Sequence, residues 1–578
     1  MFGSDRLKAG ISRGRTAGVH AIDRVFLGAV RLVLGSVGRR ALLAAFLASF
    51  IVNGALGVDF GSHWDEGYQL VVLTGCIRRL SLLPDGVSYG GLYFTLGMPL
   101  VIAHELHLLP ALLADVQTQS LRTNPIAFPS VLKFQSEATA FVNSSPYVLQ
   151  VRTLFMVVTS ATILWAYLAA LRDRQGRRGP ALAAAAFTAF CWQLGYHSRW
   201  LAIDAPITQF AMLQLFLFVK FWRSPLPGTG LRWYAAAAAA AGAVVACKIT
   251  GGVAVFPIIL GGLLRPRHWS LGRRLALALA GGAIAVVTTF LLSPAYFFDP
   301  LQVLYVVRGG SADYDPPPEA TYFVGNDHLW RVLVWLFGAV PSPFVPVALL
   351  FTAVVIIGFV SLFRRDARMT LAWLSFPAAL LAAFSRNHML LVRQYLMCLP
   401  ILVLAFARGA SVVWDWSGRK RLPLLRPVFV TTIVAGLAAG AVFETMQAWR
   451  VTHDTAGSIG RQAANGLLSE RAPVRMNRAV YERLQPYLGA TYSCHPAQAG
   501  DRRVSHLLAG FEEHVWKANR LRYFRHVYGA AEVDLDYYPT WFGRSYPWRL
   551  LDVPLARVAG QPRAGPDLDC FPSGQRAW

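Results

Sequence analysis

The chain contains 578 residues, of which 55% are hydrophobic and only 15% are charged, and its mean hydropathy is +0.42. This composition is too apolar for a soluble protein of that length and indicates a polytopic membrane protein. The net charge of +24 is also common in nucleic-acid-binding proteins, so its distribution along the chain decides how it is interpreted.

Apolar stretches of about 15 to 25 residues recur along the chain, close to the length that spans about 30 Å of hydrocarbon. We predict about eleven transmembrane helices and therefore an all-α membrane domain. Residues 233–264 are assigned to two short helices rather than to one. The predicted segments are 41–58, 149–171, 180–196, 204–222, 233–247, 250–264, 275–294, 345–363, 369–385, 394–410 and 427–446.

The positive charge is concentrated in six segments that together hold +22 of the net +24, as 27 Lys/Arg against 5 Asp/Glu. They are residues 1–40, 172–179, 220–232, 265–274, 364–368 and 408–426. These are every second connection between the predicted helices, as the positive-inside rule requires for a cytoplasmic N-terminus. The charge therefore indicates membrane topology, and no nucleic-acid partner is expected.

This topology divides the chain into three parts. Residues 1–40 form a basic cytoplasmic segment, and residues 41–446 form the transmembrane domain. Residues 447–578 are predicted to lie outside as a small domain of mixed α/β structure. Long outer loops at 59–148 and 295–344 are places where function usually concentrates. The first apolar run follows a forty-residue basic segment and has no small-residue cleavage site, so we predict that it is retained as a span.

Several local predictions concern the outer regions. The apolar spacing of residues 87–109 favours helices that lie in the membrane interface. In the C-terminal domain, residues 506–529 are typical of an amphipathic helix and residues 530–543 of a strand entering a turn. Cys494 and Cys570 are the cysteines of that domain, and they could pair in an oxidising compartment.

Ionisable residues gather in the stretch "GSHWDEGYQLVVL", just after the first span. Asp65 stands three residues after Ser62, which is the spacing of a helix capping box. Neighbouring helical residues point about 100° apart, so one carboxylate can cap the helix while Asp65 or Glu66 acts as a general base for an acceptor hydroxyl. Both interpretations stay open, and His63 could orient a carboxylate or bind phosphate.

A second group follows in "GYHSRWLAIDAPITQF", which contains His197, Arg199 and Asp204 in a short outer turn. Ionisable residues near the membrane core are functional candidates because they are energetically expensive there. The alternative for Asp204 is a helix N-cap, because it precedes Ala205 and Pro206.

Further cations are predicted at the outer face. Lys248 could bind a lipid phosphate, although a lysine whose amine extends to the interface is the ordinary alternative. The sequence "SRNHMLLVRQY" places Arg386, His388 and Arg393 before the tenth span. Arginine suits bidentate phosphate contacts, and these cations run against the inside-positive bias.

The order of these motifs resembles the integral-membrane glycosyltransferases of the GT-C superfamily. The resemblance rests on "HWDEG", "YGGLYFTLGMPL", "HSRWLAIDAPITQF", "CKITGGVAVFPIIL" and "VRQYLMCLPILVLAFARGA", and it is strongest for the protein mannosyltransferase and aminoarabinose transferase branch. It covers roughly residues 41–410. It implies the GT-C fold, a polyprenyl-phosphate sugar donor and an extracytoplasmic acceptor at a bacterial inner or plasma membrane.

The resemblance also implies roles for individual residues. Asp65 matches the catalytic acidic position as candidate general base, with Glu66 as its partner, and Asp204 matches the second acidic position. Substrate and donor binding is implied for a larger set: His63, Tyr89, His197, Arg199, Lys248, Arg386, His388 and Arg393. Many relatives carry an "HPP"-like motif where this chain has "SYGGLYF", which leaves the acceptor class open.

The predicted chemistry is one direct displacement at the anomeric carbon, with a base for the acceptor hydroxyl and cations for the departing phosphate. No paired acidic motif demands a metal, so we expect no certain cofactor and leave a divalent metal open. Two other classes fit an apolar bundle with charged residues. A transporter or flippase would place its binding groups near the midplane of the bilayer, and a non-catalytic scaffold would not use the acidic first loop.

Overall fold

The structure is a computed structural model that describes most of the membrane domain and the strands beyond it. The described residues are chiefly 35–56, 64–81, 91–118, 128–173, 176–199, 203–226, 228–265, 268–301, 327–385, 392–419, 424–453 and, beyond residue 473, the strands.

Helices dominate the first 453 residues. In chain order they are α1 Ser36–Leu56, α2 Trp64–Arg79, α3 Gly91–His104, α4 Leu109–Thr118, α5 Pro129–Val142, α6 Ser145–Asp173, α7 Arg178–Ala189, α8 Trp192–His197, α9 Asp204–Arg223, α10 Thr229–Cys247, α11 Val255–Leu264, α12 Leu271–Leu292, α13 Ala295–Phe298, α14 His328–Val334, α15 Val345–Phe384, α16 Leu399–Arg419 and α17 Leu425–His453. Short 3-10 turns at Glu105–Leu108, Ile249–Ala254 and Val392–Cys398 connect some of them.

Within the described residues, nine helical stretches are long and apolar enough to cross a membrane. Every one of the eleven predicted segments is largely helical, but two are shorter than a full span. The predicted segment 180–196 is divided into α7 and α8, and segment 250–264 is a 3-10 turn followed by α11. The predicted fold class, a polytopic helical membrane protein with a small C-terminal domain that contains a sheet, is confirmed.

The stretch Leu96–Thr118 also has the length and hydropathy of a span, although the sequence predicts interfacial helices there. It is not one continuous helix, because the 3-10 turn at Glu105–Leu108 interrupts it. The side chain of His107, near its centre, is 55% exposed. An ionisable group facing lipid at that depth would be costly, which favours the interfacial placement.

Two predicted spans are joined in α15, which is bent at Asp366. The backbone of Asp366 is non-helical there, with φ −159° and ψ 80°. Its carboxylate accepts the backbone N–H of Met369 at 3.1 Å, which caps the second half of the helix. The prediction of two separate helices, 345–363 and 369–385, therefore describes this region well.

Close approach of α15 and α16 depends on two glycines. A Cβ atom at Gly358 would collide with the backbone carbonyl of Ala405, and one at Gly409 would collide with that of Val354. Small residues at such contacts let the backbones of membrane helices approach each other. Any side chain at either position would push the two helices apart.

A network of buried charges joins α6, α9 and α15 at one end of the bundle. The fully buried carboxylate of Asp173 pairs with Arg223 at 3.0 Å and with Arg365 at 3.3 Å. Arg223 also contacts Asp366 at 3.4 Å. These residues belong to three of the basic connections that charge counting assigns to one side, and they meet at one end of the structure.

The C-terminal region contains a six-stranded sheet in the order β2-β8-β1-β3-β7-β4 and a separate hairpin of β5 and β6. The β1–β3 pair is parallel and the other pairs are antiparallel. The strands are β1 Val474–Asn477, β2 Tyr492–Pro496, β3 His506–Gly510, β4 Ala531–Asp534, β5 Tyr538–Thr540, β6 Gly543–Ser545, β7 Trp548–Asp552 and β8 Asp567–Pro572.

One prediction for this region is wrong at its start. Residues 506–510, expected to begin an amphipathic helix, form β3 between β1 and β7, and residues 511–529 lie outside the described part of the chain. The backbone groups of these five residues pair with β1 and β7, and this tertiary pairing overrides the helical pattern. The strand expected within residues 530–543 is present as β4.

Cys494 of β2 and Cys570 of β8 face each other in the sheet and are joined by a disulfide. The bridge closes a loop with a sequence separation of 76 residues. We expect Cys494→Ser to destabilise the C-terminal domain by about 2–5 kcal/mol, because the unfolded domain regains the entropy of that loop. Limited proteolysis should show faster cleavage beyond residue 473 and an unchanged membrane fragment. Equal cleavage of both parts would contradict an effect confined to the sheet.

Candidate functional site

The carboxylate of Asp204 lies between two cations in the protein interior. Lys248 Nζ is 3.0 Å from one carboxylate oxygen, and Arg393 Nε is 3.3 Å from the other. All three side chains are buried, with Asp204 only 1% exposed. We call these three residues the Asp204 cluster. The N-cap interpretation of Asp204 is not supported, because α9 begins at Asp204 itself and this carboxylate contacts cations.

Interruptions in three helices bring the cluster together. Asp204 is the first residue of α9, where a negative charge also complements the helix dipole. Lys248 is the extended residue at which α10 ends and a 3-10 turn begins. Arg393 belongs to the 3-10 turn that precedes α16 and packs against α9. Irregular backbone at membrane depth is tolerated where it is enclosed by protein, and there it commonly lines a site.

Two more predicted residues lie beside the cluster. His197 ends α8, is buried, and is within electrostatic range of both Arg393 and Asp204. Arg199, also buried, donates a hydrogen bond to the backbone carbonyl of Asn53 at 3.4 Å. The structure thus brings the segment 197–204 against the end of α1.

Buried cations gather near the carboxylate of Asp204. Lys248 and Arg393 pair with it, and Arg199 is a buried cation of the segment that precedes it. Buried charges are costly, so a protein keeps them where they are paired or where they serve a ligand. Lysine and arginine side chains are those that bind phosphate most effectively. The arrangement is therefore suited to hold a phosphate group, with Asp204 fixing the positions of two of the cations.

The helix that carries the first acidic pair lies close to this region. α2 begins at Trp64, so Asp65 and Glu66 are in its first turn. One turn further, the buried amide of Gln69 donates to the backbone carbonyl of Leu201, three residues before Asp204. The helix that carries positions 65 and 66 therefore contacts the segment that leads into α9.

Four of the predicted site residues lie outside the described part of the chain. They are His63, Tyr89, Arg386 and His388. Their roles stay predictions.

Two buried contacts around the site were not predicted from the sequence. Arg152 of α6 is only 1% exposed and donates to the backbone carbonyl of Val58 at 2.7 Å, which anchors the chain that leads to α2. His328 Nε2 lies 2.7 Å from the Tyr395 hydroxyl, two residues after Arg393. The sequence could have indicated Arg152, because it is a charged residue inside an apolar run. It could not have indicated the contact of Tyr395, because His328 is distant in sequence.

Residues 137–292, less than a third of the chain, match the family model of dolichyl-phosphate-mannose-protein mannosyltransferases. This match confirms the predicted resemblance to membrane glycosyltransferases of the protein mannosyltransferase type. Among curated proteins, no sequence matches the chain significantly.

Several solved structures have a similar course of the chain. ArnT from Cupriavidus metallidurans in the apo state is 13% identical with a TM-score of 0.47, and the match covers 91% of this chain and 100% of that chain. The same protein bound to undecaprenyl phosphate gives 14% identity, a TM-score of 0.45 and coverage of 92% and 100%. The Archaeoglobus fulgidus oligosaccharyltransferase in complex with Zn and sulfate is 12% identical with a TM-score of 0.43. That match covers 87% of this chain and 73% of that chain.

Proposed function

We propose that this chain, which carries a protein mannosyltransferase family match across its central helices, transfers a sugar from a polyprenyl-phosphate donor to an acceptor at the outer face of the membrane. The Asp204 cluster is the observation that carries the proposal. It combines two buried cations, held by one carboxylate, with irregular backbone at one end of an apolar bundle. A donor whose phosphate must leave the sugar needs such a site.

The residues of the site have different roles in the proposed reaction. Lys248, Arg393 and Arg199 bind the donor phosphate and stabilise the negative charge that develops on it as the glycosidic bond breaks. Asp204 holds Lys248 and Arg393 in place. Asp65 takes the proton of the acceptor hydroxyl, which then attacks the anomeric carbon. A single displacement of this kind inverts the anomeric configuration.

The division between the two acidic positions has a physical basis. Asp204 is buried and paired with two cations. These cations stabilise its ionised form, so it is a poor proton acceptor. Asp65 is in the first turn of α2, the helix whose Gln69 contacts Leu201 shortly before Asp204. The base is therefore assigned to α2, and Asp204 is assigned to positioning.

Turnover of radiolabelled polyprenyl-phosphate monosaccharides by the purified protein in lipid nanodiscs tests the proposal. The released polyprenyl phosphate is measured for a panel of sugars. We expect wild-type protein to consume at least one donor when envelope extract supplies acceptors. Consumption of none, together with solute uptake when the protein is placed in vesicles, would favour the transporter alternative.

Lys248→Gln tests the phosphate-binding role. The variant loses a charged hydrogen-bond donor worth about 1.5–3 kcal/mol, so we expect the donor KM to rise about 10- to 100-fold. Lys220→Gln is the matched control, because Lys220 lies near the other end of α9, over the ring of Trp233 at 3.4 Å. A similar loss in both variants would show that the effect is structural and not due to phosphate binding.

A further inference from the structure

A second group of chemistry-bearing side chains lies in the first outer loop, on residues other than those of the Asp204 cluster. Glu105 and His107 belong to the 3-10 turn between α3 and α4, and Glu137 belongs to α5. One ligand atom from each of the three side chains lies within 4.8 Å of the others. His107 and Glu137 are 30 residues apart in the sequence, so the group joins the turn between α3 and α4 to α5.

Glu105 is not satisfied by the protein around it. Its side chain is only 2% exposed, and one oxygen lies 2.8 Å from His104 Nδ1. The other oxygen, Oε2, is buried and has no hydrogen-bond partner among the residues that the structure describes. A buried carboxylate oxygen without a donor costs free energy, so this atom points to a missing positive partner.

His107 is oriented as a metal ligand is. Its Nδ1 lies 3.1 Å from the backbone carbonyl of His104, which can only accept, so Nδ1 carries the proton. Nε2 faces an oxygen of Glu137 at 3.0 Å. A carboxylate oxygen only accepts, so either a proton on Nε2 or a cation beside both atoms completes this contact. An N–H bond from one ring nitrogen to a carbonyl is the usual way in which a ligating histidine is held.

We propose that Glu105, His107 and Glu137 bind one divalent metal ion, with Zn²⁺ as the best match. One imidazole nitrogen and two carboxylate oxygens are common zinc ligands, at about 2.0–2.2 Å from the ion. The donor atoms lie within 4.8 Å of one another, and rotation of the side chains would have to bring them closer to reach that geometry. Lys133 Nζ lies 3.7 Å from the other oxygen of Glu137, so it competes weakly with a metal ion for the Glu137 carboxylate.

The ion would fasten the turn between α3 and α4 to α5. His104 already stacks on Phe141 of α5, with ring centroids 3.7 Å apart, so the metal adds a strong link to an existing contact. The site is structural: it stabilises the first outer loop without participating in sugar transfer. Bound metal should therefore raise the melting temperature of the protein.

Zinc content and affinity of the full-length purified protein test the inference. After chelator treatment, Zn²⁺ is titrated back in competition with a chromophoric indicator, and bound Co²⁺ is followed by its visible absorption. His107→Ala and Glu137→Gln should each weaken binding by more than about 10-fold, because they remove a direct ligand. Both residues are partly exposed, so these variants should fold. Lys133→Gln, the matched control, removes a neighbouring charge but no ligand and should bind at least as tightly as wild type.

Two outcomes would overturn the inference. One is a wild-type protein that takes up no Zn²⁺; an imidazolium at His107, seen by NMR, would then show that a proton supplies the positive charge. The other is a zinc stoichiometry that is the same in wild type, His107→Ala and Glu137→Gln, because the metal would then be bound elsewhere. A rise in melting temperature with Zn²⁺ in wild type, but not in His107→Ala, supports it.

Discussion

Asp65→Asn should reduce sugar transfer by about 10²- to 10⁴-fold, which is the contribution of a general base. Asparagine has the shape of aspartate but cannot take up the proton of the acceptor hydroxyl at neutral pH. Its amide oxygen can still accept a backbone N–H bond from the third position of a capping box, as the carboxylate of aspartate does. The substitution therefore separates the two interpretations of this residue, because a residue that only caps α2 would tolerate it.

The measurement is the initial rate of sugar transfer from saturating donor, together with the donor KM and the melting temperature. We expect the rate to fall while the donor KM and the melting temperature stay near wild type. Glu66→Gln is the matched control in the same helical turn and should lose much less activity. A wild-type rate in Asp65→Asn would remove Asp65 as the base and leave capping as its role.

The membrane organisation could be predicted from the sequence because it depends on composition and local charge. Hydropathy locates the helices, and the basic connections that carry Asp173, Arg223 and Arg365 meet at one end of the bundle. The division of segment 180–196 was not predicted. The first half is strongly apolar and the second is short, so the average hydropathy of the whole segment does not reveal a break between Ala189 and Trp192.

The candidate site could be predicted only as separate residues. Asp204 is a candidate because an ionisable residue near the membrane core is costly. Lys248 and Arg393 are candidates because they are outer-face cations suited to a phosphate. Their mutual pairing depends on how three helix ends meet, and the pairs span 44 residues or more, so no local pattern reveals it. The same holds for His328 and Tyr395, and for the strand at residues 506–510, whose partners are distant strands.

Asp204→Asn should destabilise the protein by about 3–5 kcal/mol, because it leaves Lys248 and Arg393 buried with no carboxylate between them. A phosphate that enters the site can replace the lost charge. We therefore expect undecaprenyl phosphate to raise the melting temperature of this variant by more than it raises that of wild type, since a ligand that binds the folded state more tightly stabilises it more.

Asp173→Asn provides the matched control. Asp173 is also a buried carboxylate between two cations, Arg223 and Arg365, but it lies at the end of the bundle where the basic connections meet. It should lose a similar amount of stability and gain no additional protection from undecaprenyl phosphate, measured by thermal unfolding in detergent. Equal rescue of both variants would mean that the lipid acts through general membrane contacts, and the assignment of the Asp204 cluster to the donor phosphate would then fail.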